Sequence, residues 1–327
     1  MSIKEQLLAQ MSLPVIAAPM FIVSGEALVI ASCKEGILGT FPALSARTSQ
    51  ALDEMLTHIR TELATYKAAH PSKPVAPFGT NLILHSSNPR AEEDLQRVIE
   101  HQVPVVIASV GNPAPVVEPI HAYGGIVFAD VSTVKHARYA VEAGVDGLIL
   151  LCAGCGGHTG WLNPFAFVRE VREFWDGPLV LAGSIGHGAS VRAAEVLGAD
   201  FVYMGSRLLA SDESNAALEY KAMVVDCHGD DIVTTDKITG MRANFMRPSL
   251  EKAGHQVDKF NNLLDTHKRE FDLKHIAGEQ EAKPWKDIWC CGHGANEVHA
   301  TESVHHIVAT LKTQYEEACQ RETHLSN

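Results

Sequence analysis

The 327-residue sequence has no apolar run approaching the 18 or so residues that a membrane helix needs. Its start, Met1-Ser2-Ile3-Lys4-Glu5-Gln6, lacks the apolar core of a secretion signal. No Asn-x-Ser/Thr acceptor occurs. Basic residues are also scarce: 27 Lys plus Arg stand against 39 Asp plus Glu, a formal charge of −12, with no Lys/Arg cluster. Binding to nucleic acid through phosphate neutralisation is therefore not expected, nor is a membrane partner. Seven cysteines, an odd number without a secretion signal, suit reduced thiols and a cytoplasmic location better than a disulfide framework. A Gly-x-Gly-x-x-Gly dinucleotide fingerprint is missing after the first apolar run, which continues as Ala18-Pro19-Met20-Phe21, and a P-loop is missing throughout.

What is present is a recurring unit. Hydrophobic residues make up 46% of the chain. Short runs rich in Val, Ile and Leu fall at 15–20, 36–42, 77–84, 104–110, 125–131, 147–153, 178–184 and 201–206. Each is bounded by Gly, Pro or polar residues, and most are continuously apolar, as in parallel strands buried on both faces. Helical periodicity predicts helices over 49–69, 91–101, 113–122, 133–143, 164–175 and 189–197, several opening on Ser, Thr, Asn or Pro and closing near Gly. Eight strand units within about 210 residues fit a (β/α)8 TIM barrel of the α/β class, because that count closes a sheet. An open doubly wound sheet is the alternative.

The pattern changes near Asp212. Helical period at 213–227, a β-rich stretch at 231–245 and polar helices through Lys283 predict a smaller, mostly helical C-terminal appendage over 212–284. Residues 1–211 and 285–327 would form the barrel, with a Gly-rich returning loop at 285–296 and a closing amphipathic helix at 299–320.

In such a barrel the chemistry lies at the C-terminal ends of the strands, and phosphate is often held by the last two loops. Here these read Ala182-Gly183-Ser184-Ile185-Gly186-His187-Gly188 and Met204-Gly205-Ser206-Arg207. Glycines let backbone N–H groups approach an oxyanion, and a following helix N-terminus favours negative charge. Tight βα turns are the plainer explanation. The loop after the sixth run, Cys152-Ala153-Gly154-Cys155-Gly156-Gly157-His158-Thr159-Gly160, sets one imidazole among four glycines, suited to proton transfer. The same loop has rival readings: a metal site from Cys152, Cys155 and His158 completed by Cys290, Cys291 or His293, or a redox dithiol. Cys152 could equally be a small core residue. Asn81, near the end of the third run, offers an amide that can both donate and accept, or forms a turn. Asp130 and Ser132 end the fifth run, and Lys135 follows them.

Ala-Pro-Met at the first strand, Gly-Gly-His-x-Gly after the sixth, Ala-Gly-Ser-Ile-Gly after the seventh and Gly-Ala-Asp-Phe-Val-Tyr-Met-Gly-Ser-Arg at the eighth together resemble the nitronate monooxygenase (2-nitropropane dioxygenase) family. That family's relatives include flavin-dependent enoyl-thioester reductases and NADH:quinone reductases. The resemblance implies a barrel holding FMN. Ala18, Pro19 and Met20 would line its ring with Asn81 beside it, and Gly157 would lie near the cofactor. Gly183, Ser184, Gly186, Gly205 and Ser206 would receive the phosphate. His158 would be the catalytic base or substrate-orienting group, with Asp130, Lys135 and His293 as further substrate or loop candidates and no metal. Two segments differ from the family pattern. The usual Gln-Gly-x-Glu-Ala before Gly-Gly-His is Leu151-Cys152-Ala153-Gly154-Cys155, and the late loop is Cys291-Gly292-His293-Gly294.

The expected function is FMN-dependent oxidation of alkyl nitronates or similar small carbanion-like substrates with O2. The first alternative is an FMN-dependent reductase of quinones or enoyl thioesters, with NAD(P)H as reductant. A non-catalytic flavin- or phosphate-binding module and a Cys/His zinc enzyme are the others. Self-association into a homo-oligomer is left open.

Overall fold

The computed structural model describes residues 1–264 and 285–321. Eight parallel strands close a barrel: β1 (Val15–Ala17), β2 (Leu38–Pro42), β3 (Phe78–Ile83), β4 (Val105–Ser109), β5 (Ile126–Val131), β6 (Gly147–Leu151), β8 (Leu179–Ala182) and β9 (Phe201–Met204). Closure is direct, since β1 pairs with β2 on one side and with β9 on the other. The two-residue strand β7 (Gly157–His158) lies outside this ring.

The continuous apolar character of the strands resolves into two buried layers. Val106, Ala108, Val127, Ala129, Leu148, Leu150, Leu179, Leu181 and Val202 belong to the layer under the helices. Val105, Ile107, Ile126, Phe128, Ile149, Val180 and Phe201 fill the barrel interior. Side chains alternate along a strand, so both neighbours of each pair are apolar only because both faces are covered. The inward phase has a consequence at the C-terminal ends. Ser109 follows Ile107 by two residues, Asp130 follows Phe128, and Tyr203 follows Phe201, so polar groups cap the apolar interior.

Around the ring lie α3 (Ser49–Ala69), α4 (Ala91–Glu100), α5 (Ala114–His121), α6 (Val134–Glu142), α7 (Pro164–Arg172) and α8 (Gly188–Leu197), all at the positions expected from periodicity. Thr48, Thr133 and Asn163 cap α3, α6 and α7 through side-chain oxygens, satisfying N–H groups that a helix start leaves unpaired. A short α1 (Ile3–Leu8) precedes β1, and Leu7 is buried beneath the barrel interior.

One barrel helix, α2 (Glu26–Lys34), has no periodic signature in the sequence. Leu28, Val29, Ile30, Ser32 and Cys33 are all buried there, and α2 packs against β2, α3 and the closing helix α12 (Val304–Gln320). A helix covered on that many sides has no broad polar stripe to mark its period. The helix α12 also packs on α8, where the Gly188 N–H donates to Gln314 Oε1 at 3.0 Å and Tyr315 Oη donates to Glu195 at 2.8 Å.

After β9 come the short α9 (Ser206–Leu209) and α10 (Leu218–Val225). The β-rich stretch forms an antiparallel hairpin of β10 (Ile232–Thr235) and β11 (Ala243–Met246), followed by α11 (Arg247–Lys252). This appendage is therefore less helical in its described part than the sequence suggests. Its expected polar helices at 265–284 lie outside the described residues.

Candidate active site

The inner ends of the strands open into a cavity of about 250 Å³ at the barrel mouth. Of the residues singled out in the sequence, Ala18, Pro19, Met20, Asn81, Asp130, Gly157, His158, Gly183, Ser184, Gly205 and Ser206 all line it. Cys155, Cys290 and Cys291 line it as well. Of the cofactor and substrate candidates, three do not. Lys135 is exposed on α6 with its Nζ over the Tyr139 ring, 5.6 Å from the centroid. His293 is exposed at the rim, its N–H donating to the Gly154 carbonyl at 3.0 Å. Gly186 packs behind the wall: a Cβ there would come within 2.7 Å of the Gly294 carbonyl oxygen.

The histidine loop is held by the appendage. Its strand β7 pairs with β11, with His158 opposite Ala243 and Gly157 opposite Asn244. Asn244 Nδ2 donates to the Cys155 carbonyl at 2.7 Å, and the Thr159 N–H donates to the Arg242 carbonyl at 3.0 Å. Trp285 meets the His158 ring edge-on at 5.2 Å and stacks on Phe245 at 5.9 Å. His158 is only partly covered, yet the protein around its ring disfavours charge and lowers its pKa to about 4. At neutral pH it is a neutral imidazole, able to donate one hydrogen bond and accept another.

Three glycine-bearing loops meet in the cavity wall. A Cβ on Gly292 would lie 2.3 Å from the Gly154 carbonyl oxygen and 2.5 Å from the Gly156 nitrogen. Gly154 itself has φ +92°, and a Cβ there would lie 2.4 Å from Ser184 Oγ. Close backbone packing thus explains part of the glycine content, beside any anion that Gly183, Ser184, Gly205 and Ser206 would receive. The Gly292 N–H donates to Ser206 Oγ at 2.9 Å, tying the returning loop to the start of α9.

The floor holds polar groups that sequence patterning missed, Ser109 and Tyr203. Ser109 donates to Asp130 Oδ2 at 2.5 Å and accepts from Asn81 Nδ2. Burial raises the Asp130 carboxyl to about 6, the Ser109 hydrogen bond pulling it partly back. The Tyr203 hydroxyl is buried without a hydrogen-bond partner among the described residues. Burial first, then the neighbouring Asp130 and Cys155, pushes its ionisation well above the usual tyrosine value. Both residues carry one legible signal: a polar side chain two positions beyond an inward-facing Ile or Phe at the end of an apolar strand. Tyr220, on the far wall, donates from its hydroxyl to the Cys290 carbonyl at 2.5 Å, a contact no local pattern shows.

The rival readings of the cysteine loop do not assemble. Cys152 belongs to the layer under the helices and Cys155 to the barrel interior, so their sulfurs face different environments. Among the described residues no group of three His, Cys, Asp or Glu side chains is placed to hold a metal ion. All seven cysteines are free thiols. Burial pushes Cys152 up to about 12, and burial followed by the charge of Cys152 puts Cys155 well above its ordinary value, so both are protonated thiols near pH 7.

The fold and its mouth define a (β/α)8-barrel enzyme with one histidine above a polar floor and small-residue loops at one end of the cavity. The sequence profile of the nitronate monooxygenase family matches residues 4–314, and the chain belongs to that family of oxidoreductases. A nitronate monooxygenase of Neurospora crassa is 28% identical over 242 residues, 64% of this chain and 63% of the relative. An octahydro-indene-carboxyl-CoA dehydrogenase of Rhodococcus jostii is 26% identical over 274 residues, 84% of this chain and 74% of the relative. A Mycobacterium tuberculosis protein named as a monooxygenase is 31% identical, but the match spans only 44% of its length. Among solved structures, a variant of FabK from Thermotoga maritima superposes with a TM-score of 0.78 at 25% identity, covering 98% of both chains. A nitroalkane oxidase from Streptomyces ansochromogenes gives 0.78 at 22% identity, over 96% of this chain and 98% of that one, and shares the fold.

Proposed function

We propose that the chain is an FMN-dependent oxidoreductase that oxidises alkyl nitronates, or similar small carbanion-like substrates, with O2. The observation that carries this is the placing of His158 above one cavity whose walls are Ala18-Pro19-Met20 on one side and the Gly183-Ser184 and Gly205-Ser206 loops on another. The residues fit the cofactor. Apolar residues at Ala18-Pro19-Met20 suit a ring, small residues in the last two loops leave room for backbone N–H groups to reach a phosphate, and Asn81 adds an amide to the same cavity. When bound, FMN supplies the electron acceptor.

The protein's part is orientation and charge. His158, neutral at working pH, can donate a hydrogen bond to an anionic substrate already lacking its proton. A pKa near 4 makes it a weak base for removing a proton from a neutral nitroalkane. Trp285 braces the imidazole, and Asp130, Ser109 and Tyr203 keep the floor polar. The described residues of the appendage, 212–264, act as a small unit that positions the histidine loop through β11. A reducing compartment, the cytoplasm, suits the free thiols. No described helix is long and apolar enough to cross a membrane.

A second reading keeps FMN but takes NAD(P)H as reductant and a quinone or enoyl thioester as acceptor. It is favoured by the end-to-end likeness to FabK and by the CoA-thioester dehydrogenase relative. The visible spectrum of the protein, recorded anaerobically with an alkyl nitronate and separately with NADH, separates the two. Bleaching by nitronate alone supports the first reading, and bleaching by NADH the second. Failure to take up FMN at all would overturn both.

A further inference from the structure

Asn81, Ser109 and Asp130 occupy inward positions near the C-terminal ends of three successive strands, β3, β4 and β5. Asn81 pairs in register with Ile107, which sets its side chain over the β4 backbone. Asn81 Nδ2 donates to the Ile107 carbonyl at 3.3 Å and to Ser109 Oγ. A carbonyl can only accept, so the amide nitrogen, not the oxygen, must face Ile107. Ser109, having accepted from Asn81, gives its own hydrogen to Asp130 Oδ2 at 2.5 Å. The direction of every bond in the relay is thereby fixed. Both amide hydrogens of Asn81 are used inside the barrel, and its carbonyl oxygen Oδ1 is left on the cavity side as a pure acceptor.

We propose that Ser109 and Asp130 are positioning residues that lock Asn81 as a hydrogen-bond acceptor for a ring N–H of the bound cofactor. The assignment rests on the flavin reading above and adds to it the chemistry that this wall selects: a ligand edge bearing an imide-type N–H. A ring edge presenting only acceptors would meet Oδ1 unfavourably, because turning Asn81 would set Oδ1 against the Ile107 carbonyl oxygen and break its bond to Ser109. The ionised carboxylate of Asp130 is the end that gives the relay its polarity. Protonated, Asp130 would itself become a donor toward Ser109, and the order of donors would no longer be enforced. The other titratable groups around this floor are the Tyr203 hydroxyl from β9, the Cys155 thiol from the loop after β6 and the His158 imidazole, and all three are neutral near pH 7. Lys135, on the helix after β5, is exposed against Tyr139.

The test is the affinity of the full-length protein for FMN, followed by flavin fluorescence between pH 5 and pH 8, for wild type, Ser109→Ala, Asp130→Leu and Asp130→Asn. An Asn at 130, neutral and able to donate as well as accept, stands in for the protonated carboxyl and cannot titrate. Ser109→Ala and Asp130→Leu are expected to weaken FMN binding about tenfold, the equivalent of one lost hydrogen bond, and Asp130→Asn is expected to bind more weakly than wild type at pH 8. Wild type should lose more affinity than Asp130→Asn as pH falls from 8 to 5. Comparing these two cancels the titration of the FMN phosphate itself. Circular dichroism of the apo forms checks folding, and if Asp130→Leu does not fold, Ser109→Ala decides. Wild-type affinity in Ser109→Ala, or superimposable pH profiles for wild type and Asp130→Asn, would overturn the relay while leaving the flavin reading intact. Absence of FMN binding by wild type at every pH would overturn both.

Discussion

The sulfur atoms of Cys227 and Cys291 lie 3.6 Å apart, joining the end of α10 to the returning loop on the cavity wall. Both residues are buried. The hydrogen bond shared with Cys227, then burial, holds the Cys291 thiol well above its ordinary ionisation range. Cys319 is the exposed cysteine among the seven. Thiol titration with a chromogenic disulfide should therefore find one fast group in the native protein and seven after denaturation. Several fast groups in the native state would show that the returning loop opens.

His158→Asn should lower turnover on an alkyl nitronate by about 100-fold or more while leaving FMN bound, since acid–base and orienting groups contribute on that scale. Steady-state kinetics together with the visible spectrum check both halves. Unchanged kinetics would remove His158 from the reaction.

Two groups at the mouth give stability opposite pH slopes. Asp130 has a folded pKa of about 6, above its ordinary value, so the folded state binds more protons between about 4 and 6 and stability falls as pH rises through that window. His158 is lowered to about 4, so the unfolded state binds more protons below about 6.5 and stability rises with pH over nearly the same range. Asp130→Asn should stabilise the apoprotein by about 2 kcal/mol at pH 8 and not at pH 4, and it should expose the rising slope due to His158. Urea denaturation across pH measures this, and a variant curve parallel to that of wild type would contradict it.

Gly292→Ala should destabilise the fold by more than about 2 kcal/mol and weaken FMN binding, because its new Cβ meets backbone of the histidine loop on two sides. Gly229→Ala, where a Cβ meets nothing within 4 Å, is the matched control. Equal melting temperatures for the two variants would show that the loop seam is loose.

The strand and helix sequence of the barrel was legible because each apolar run is bounded by Gly or Pro and covered on both faces. Helix α2 was not, because burial on several sides erased its period. At the site, the Gly-Gly-His and Gly-Ser loops announced themselves locally, and Gly157, His158, Gly183, Ser184, Gly205 and Ser206 from them do line one cavity. Lys135 and His293 carry the right chemistry but point elsewhere, which no sequence spacing encodes.

The sequence by itself determined the class of fold, through the count and character of its strands, and the identity of the loop residues, through glycine, serine and histidine held close together in the chain. Only the tertiary structure decided which polar groups meet. Asn81, Ser109 and Asp130 are separated by 28 and 21 residues and become one relay because barrel register brings their strands side by side. The histidine loop is held in place because β11, more than 80 positions away, pairs with it. Such contacts follow from closure of the sheet and packing of the appendage, which local propensity does not specify.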